Sequence, residues 1–476
     1  MAPLKLWQLA AYGVGDFFGG GSFFIIGFLY LFFMTDVVGM KPSHAGLIFV
    51  LGKLWDAVCD PVIGYVSDTI RTRFGRRRIF FLCGAIPAGL SFALLWLPVR
   101  GYSEVLTFLY YLASFLFFTT VFAVLMIPYS ALVAEIHPAD RERTRLTGAR
   151  IFFSQVAALV GGVIPKTIIL SFSDAAQGHL MMGAVFGVLF VLPWLVVFAG
   201  TREMELPKTA RDFSPSRFFR EFGEVFKNPV FRVQMGMYLA AYTAMDVIMA
   251  TLQYFVKYTI EKEAVLTMAL GTLLLAQVVA LPVYVWLSNR RGKGFAFVLG
   301  LSIWLVGAVA MSLVPPGFPN AALLVLCAVI GIGLSAGVMI PWAILPMVGD
   351  VDELMSGARR VGIYSGVMTL VRKLVQAVAV YAVSLGLQIA GYVPGAVQSS
   401  STRQAFRLLF GGVSSLLIIV GIVMGLRFVL TPRVWSVVSE ELRLRRMGER
   451  SEASLPEARS ICERVTGLSY DRLFGG

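Results

Sequence analysis

Two carboxylates stand where water should be scarce. Asp56 and Asp60 lie in the stretch Lys53-Leu54-Trp55-Asp56-Ala57-Val58-Cys59-Asp60-Pro61, inside an apolar run from about Ser43 to Ser67. That run is long enough to cross a bilayer at ~1.5 Å per residue. Four residues apart, the two acids share one helix face. Asp56 comes ~20 Å into the run, near the middle of a hydrocarbon core ~30 Å thick. A charge there costs roughly 2.5–3.5 kcal/mol even on the lenient insertion scale. Two on one face require a counter-ion, a proton or a water-filled cavity. The chemistry to expect is reversible binding of a coupling cation, with Na+ at Asp56 and Asp60 as the metal candidate, and Lys53 beside them as a coupling candidate. Asp16 and Asp246 are two further intramembrane acids, which makes them candidates for a substrate cavity. No constellation for catalysis accompanies them, so the chain does not read as an enzyme.

The elements that must hold these residues are transmembrane helices. The 476 residues are 57% hydrophobic and only 14% charged, against about 25% charged in soluble domains. An all-α polytopic membrane protein of twelve spans with short loops fits that length. The first span runs about Leu6–Thr35 and the second is the acidic stretch. The next four are about Ile79–Pro98, Glu104–Glu135, Leu146–Phe172 and Gly178–Gly200. The remaining six fall near 230–260, 265–288, 294–314, 319–347, 358–390 and 404–430. The net charge of +13 does not point to nucleic acid, because the cations gather in alternate loops, as positive-inside topology demands. This places both termini and the middle loop in the cytosol of a plasma membrane. The order predicts a six-helix half over 1–200, a linker over 201–228, a second half over 229–430 and a tail over 431–476. In the linker Phe218, Phe219, Phe222 and Phe226 fall at helical spacing, as on an amphipathic helix at the membrane face. The charged tail reads as a solvated helix. The four cysteines show no metal spacing and are expected to be free thiols. No cofactor is expected beyond the coupling ion, and a monomer is expected.

The halves repeat one another. Leu9-Ala10-Ala11-Tyr12 with Asp16 recurs as Leu239-Ala240-Ala241-Tyr242 with Asp246. Met126-Ile127-Pro128-Tyr129 recurs as Met339-Ile340-Pro341-Trp342, and Gly148-Ala149-Arg150 as Gly357-Ala358-Arg359. Repeats of like topology suit a carrier whose substrate sits near the midplane. Arg150 is a cavity candidate on this ground. Gly64-x3-Asp68-x4-Arg73-x-Gly75-Arg76-Arg77 matches the signature of the loop after the second span in the major facilitator superfamily. Its glycines allow a tight turn, and Asp68, Arg73, Gly75, Arg76 and Arg77 become gating candidates. Arg141 in the loop before the fifth span and Asp350 before the eleventh could form ion pairs between halves.

Tyr12-Gly13-x-Gly15-Asp16, Thr35-Asp36-Val37-Val38-Gly39, Trp55-Asp56-Ala57-x-x-Asp60-Pro61, Ile127-Pro128-Tyr129-Ser130 and Gly391-Tyr392-Val393-Pro394 together resemble the glycoside–pentoside–hexuronide:cation symporter family. Melibiose permease belongs to it, and the lysolipid–sodium symporters of animals are relatives. The resemblance spans about residues 5–430. It implies the major facilitator fold, two pseudo-symmetric six-helix halves and alternating access. It also implies a cation site at Asp56 and Asp60, completed by a lysine that aligns with Lys373; that residue too is placed near mid-membrane by its distance from Arg360. Where the family's sodium site has an asparagine and a threonine, this sequence has Cys59 and Ala123. Fewer oxygen ligands weaken a hard-cation site, so proton coupling stands beside Na+. At the galactoside-binding positions stand Gly20, Met126 and Ser130, which argues against an α-galactoside. The function to expect is symport of a small organic solute, a glycoside first, with a lysolipid or other amphiphile as the alternative and a drug or metabolite antiporter as a further one.

Overall fold

The computed structural model describes residues 3–137, 139–204, 223–447 and 456–475. Twelve long helices account for most of them. They are α1 (Leu6–Tyr30), α2 (Pro42–Thr69), α3 (Arg78–Leu95), α4 (Glu104–Ile136), α5 (Asp140–Leu170) and α6 (Ala175–Gly200). Then follow α7 (Pro229–Ile260), α8 (Glu263–Arg291), α9 (Lys293–Ser312), α10 (Asn320–Ser356), α11 (Val361–Ile389) and α12 (Ser400–Leu426). Eleven are long and apolar enough to cross a membrane. The twelfth, α2, is long enough at 28 residues but is less apolar and carries Lys53, Asp56, Asp60 and Asp68. Twelve helices therefore lie where twelve spans were expected, eleven of them apolar enough to cross a membrane on their own.

Local signals set the boundaries. Pro42 opens α2 at a position where its missing N–H costs nothing. Ser103 and Asp174 cap α4 and α6 by accepting from Leu106 and Ala176. Gly357 ends α10 at φ 75°, and Gly292 separates α8 from α9 at φ 94°. α1 is not one smooth helix. Its ladder breaks at Val14–Gly15, and π-turns follow at Ile26–Tyr30 and, just beyond, at Phe33–Val37. α7 ends in a π-turn too, Val256–Ile260. The reading of Leu6–Thr35 as a single span thus captures the extent but not the winding.

Two compact units emerge from the packing. The first gathers Met1–Thr209, Met249–Leu274 and Ala377–Phe406; the second gathers Ala210–Ile248, Leu275–Gln376 and Arg407–Gly476. The first unit thus includes one end of α7 and of α11. Small residues allow its helices to approach: a Cβ on Gly89 of α3 would lie 2.3 Å from the Gly187 carbonyl oxygen of α6. Its core is aromatic, with Phe18 edge-on to Phe190 at 5.4 Å and to Trp194 at 5.7 Å. In the second unit α9 and α10 approach as closely, a Cβ on Gly333 lying 2.4 Å from the Trp304 nitrogen.

The tail departs from the expected solvated helix. α13 (Pro432–Arg446) and α14 (Pro456–Thr466) fold together within the second unit, burying Val438, Leu442, Cys462 and Val465. Arg446 reaches Glu353 of α10 at 2.5 Å. An apolar stripe packs, and Glu441 is buried beside it, accepting from Arg445 and the Tyr470 hydroxyl at 2.7 and 2.6 Å. Phe218, Phe219 and Phe222 of the linker lie outside the described residues. All four cysteines are free thiols.

Candidate functional site

In the first unit Asp16 opens the second piece of α1, and Arg150 comes from α5. The Arg150 Nε lies 3.2 Å from Asp16 Oδ2, and its Nη1 donates to Ser130 Oγ at 3.1 Å. The guanidinium stands 5.0 Å over the Tyr129 ring. Tyr129 stacks on Tyr12 at 4.6 Å, and each hydroxyl donates to the other's backbone carbonyl, at 2.8 and 3.1 Å. The helix contact depends on absent side chains. A Cβ on Gly20 would fall 2.3 Å from Ser154 Oγ, and one on Gly19 would fall 2.5 Å from Asp16 Oδ1 and 2.7 Å from Met126 Cε. Met126 thus meets Asp16 across Gly19, while Gly20 lies against Ser154 of α5.

The second unit holds the counterpart. Asp246 of α7 faces Arg372 of α11 in a two-pronged pair of 2.7 and 2.8 Å, and Gln376 donates to the same carboxylate at 3.1 Å. Arg372 stands 5.1 Å over the Tyr242 ring, and Trp342 Nε1 donates to the Tyr242 hydroxyl at 3.0 Å. The duplication seen in the sequence is therefore a duplication of a site. Each half sets an acid from its first helix against an arginine from its fifth, beneath an aromatic from its first or fourth. The repeats Tyr12/Tyr242 and Tyr129/Trp342 supply the rings. Sequence reasoning flagged Asp246 but not its partner: the repeat sets Arg359 opposite Arg150, whereas Arg359 pairs with Asp350 and Arg372, further along α11, meets Asp246.

On α2 the Lys53 ammonium lies 3.1 Å from Asp56 Oδ2, the two side chains only 4% and 5% exposed. It also stands 4.7 Å from the centre of the Phe23 ring. The i,i+3 spacing brings the pair together on the helix surface. Cys59 and Asp60 follow one turn on, half-buried. Trp55, on another face, donates to Thr120 of α4 at 2.8 Å. A Cβ on Gly52 would meet the Phe115 ring at 2.3 Å, which fixes how closely α2 lies on α4. Lys373 lies in the second unit, half-buried on α11.

The gating candidates are engaged within their own halves. Arg77 pairs with Asp68, donates to Ser67 Oγ at 2.6 Å and reaches Glu135 at 3.1 Å; Arg76 pairs with Glu135 as well. Glu203 accepts from the backbone N–H groups of Arg76, Arg77 and Arg78 at 2.6–2.7 Å, capping α3. Gly75 turns the loop at φ 108°, and Arg73 is exposed beside Phe74. Asp68 is held here by Arg77 of its own loop. Asp350 pairs with Arg359 at 2.9 Å, also within its half. The Arg141 side chain lies outside the described residues. Glu135 and Glu203 were not singled out from the sequence, since each is one acid at a helix end.

Long helices in two units, with ion pairs buried in the middle of apolar spans, define a polytopic membrane carrier. The chain belongs to the MFS/sugar transport protein family, whose profile matches residues 11–432. It is 27% identical to an uncharacterized symporter of Synechocystis, over 91% of this chain and 96% of that one. It is 26% identical to an Escherichia coli protein assigned as a sulfoquinovose importer, over 94% and 95%. It is 25% identical to a zebrafish (Danio rerio) sodium-dependent lysophosphatidylcholine symporter, over 94% and 90%. Among solved structures it shares its fold with a bacterial homologue of the lysosomal transporter Spinster, at TM-score 0.65 and 13% identity, over 94% and 100%. The protein is a secondary transporter of the major facilitator type and not an enzyme.

Proposed function

We propose that the protein couples the inward flow of Na+ or H+ to uptake of a small organic solute, a glycoside first of all. The observation that carries this is the buried Lys53–Asp56 pair with Asp60 one turn further on, at mid-span of α2. Ionised groups so placed are costly unless they serve ion movement. In this reading Asp56 and Asp60, with Cys59 between them, receive the coupling cation, and Lys53 and Lys373 adjust its affinity. Asp16 and Arg150 offer an acceptor and a forked donor, the polar equipment that solute hydroxyls require. The arginine-rich loops face the cytosol, and the membrane potential contributes ~2.3 kcal/mol per 100 mV for each charge carried across. Two relatives support a solute of either kind, one assigned as a sulfoquinovose importer and the other a lysophosphatidylcholine symporter.

The test is uptake into proteoliposomes under an inward cation gradient. The solute is first chosen by thermal stabilisation across glycosides, sulfoquinovose and lysolipids, with and without sodium. Asp56→Asn and Asp60→Asn are each expected to abolish concentrative uptake. Wild-type accumulation by either variant overturns the assignment. Stabilisation by lysolipids alone replaces the glycoside with the amphiphile.

A further inference from the structure

Two motifs in the sequence remain without a task, Thr35-Asp36-Val37 after the first span and Gly391-Tyr392-Val393-Pro394 after the eleventh. They meet in the first unit, at the end opposite the arginine-rich loops. The Tyr392 hydroxyl donates to Asp36 Oδ1 at 2.7 Å. Lys257 Nζ donates to Asp36 Oδ2 at 2.7 Å, and the Tyr258 hydroxyl also donates to Oδ1. Gly395 N–H donates in turn to the Tyr258 oxygen at 3.2 Å. One carboxylate, 8% exposed, therefore gathers donors from the end of α7 and from the segment between α11 and α12. Beside it the Thr35 and Tyr254 hydroxyls share a hydrogen bond of 2.6 Å. A second pair lies near: Lys166 of α5, 2% exposed, bonds Glu263 of α8 at 2.7 Å. The same end brings α2 against α11, where the Ser43 N–H donates to Gln388 at 3.1 Å.

We propose that Asp36 is a latch that shuts this end of the carrier and must release in each transport cycle. The proposal rests on the alternating-access reading given above. Asp36 and its partners Lys257 and Tyr258 all sit on π-turns, Phe33–Val37 and Val256–Ile260, a winding that concentrates at functional positions. Immediately after, Glu261 holds φ 60°, the positive-φ conformation that side chains resist. α7 passes from the second unit to the first at Ile248/Met249, and α11 at Gln376/Ala377. Asp36 thus grips the first-unit end of α7 and the segment that follows α11, two helices whose remainders belong to the second unit. Lys257 keeps 27% and Glu263 35% of their side chains exposed, so water can take over these groups when the contacts part. Burial holds the Tyr392 phenol well above its ordinary range, so it serves as a neutral donor throughout. A carboxylate with three side-chain donors is strong enough to define a closed state and polar enough to be rehydrated.

Cys59 reports on the latch, since it lies on the Asp56 face of α2. The full chain is reconstituted without solute or coupling ion. It is treated with a membrane-impermeant maleimide from the side opposite the arginine-rich loops, and the Cys59 peptide is followed by mass spectrometry. Asp36→Asn keeps the shape and loses the charge; it is expected to react at least tenfold faster than wild type. Tyr392→Phe is expected to react two- to fivefold faster, and it stands in if Asp36→Asn does not accumulate. The exchange Asp36→Lys with Lys257→Asp is expected to restore the rate to within threefold of wild type. Unchanged rates in both Asp36→Asn and Tyr392→Phe, or acceleration that the exchange leaves in place, overturn the latch. Because no uptake is measured, a failed symport assay leaves this result standing.

Discussion

The Asp16–Arg150 pair separates a structural role from a transport role, and its size can be worked out. At 3.2 Å and an effective dielectric of 20, two unit charges attract by about 5 kcal/mol before desolvation is counted. Arg150 is 25% exposed and Asp16 12%, so solvent screens part of this and the helices repay part in dehydration. A coupling of about 2–3 kcal/mol is the expected remainder. Asp16→Asn preserves volume, so the close contacts at Gly19 and Gly20 are undisturbed and the loss is electrostatic. Arg150→Gln removes the other partner. Unfolding of the two single variants and the double variant in detergent gives the coupling energy by a double-mutant cycle. Both single variants should be destabilised, and the double should be less so than their sum. Uptake then discriminates: if the pair belongs to the cavity, the double variant recovers stability but not transport. A coupling below about 0.5 kcal/mol would refute the energetic reasoning, and wild-type uptake by the double variant would refute the cavity role.

Glu203→Ala removes the acceptor of three consecutive N–H groups at the start of α3; a loss of about 1–3 kcal/mol and faster tryptic cleavage within residues 71–78 are expected, and an unchanged cleavage rate would count against the cap. Cys462 is buried in the folded tail, and burial first, then the nearby Glu441, pushes its thiol up to about 11 from 9.0. The folded state binds that proton more tightly than the unfolded one, so the contribution is whole below pH 9 and is lost as pH rises through 11. Cys462 should therefore resist maleimide at pH 7–8, and tail stability should fall between pH 9 and 11 in wild type but not in Cys462→Ser.

The twelve spans could be read because apolar runs of membrane length leave little choice of structure, and α2 stood out because its charges interrupt such a run. Asp16, Arg150 and Asp246 could be singled out by type and depth, yet their partners required the third dimension: Arg372 was one of two adjacent cations, and only helix rotation decides which meets Asp246. Lys53 and Asp56 were both named, yet the resemblance pointed to Lys373 as the cation beside the acids, and the spacing of three that pairs Lys53 with Asp56 was left unused. The latch was hidden for a different reason. Asp36, Lys257 and Tyr392 sit at span ends, where charge is ordinary, and π-turns break the 3.6-residue period by which faces are assigned. The tail was misjudged because interleaved charges at helical spacing conceal a narrow apolar stripe.

Those π-turns carry a consequence for chain length. Each accommodates one residue beyond an α-turn, so deleting a single residue within Val256–Ile260 would return the winding to a plain α-turn with its flanks left in phase, while the residues of the turn itself change face by up to about 100°. The helix would survive as a rod, but Lys257 and Tyr258 would no longer present themselves together. A one-residue deletion here should thus be harmless to insertion and ruinous to turnover, whereas the same deletion in the plain helical stretch of α9 should trouble both.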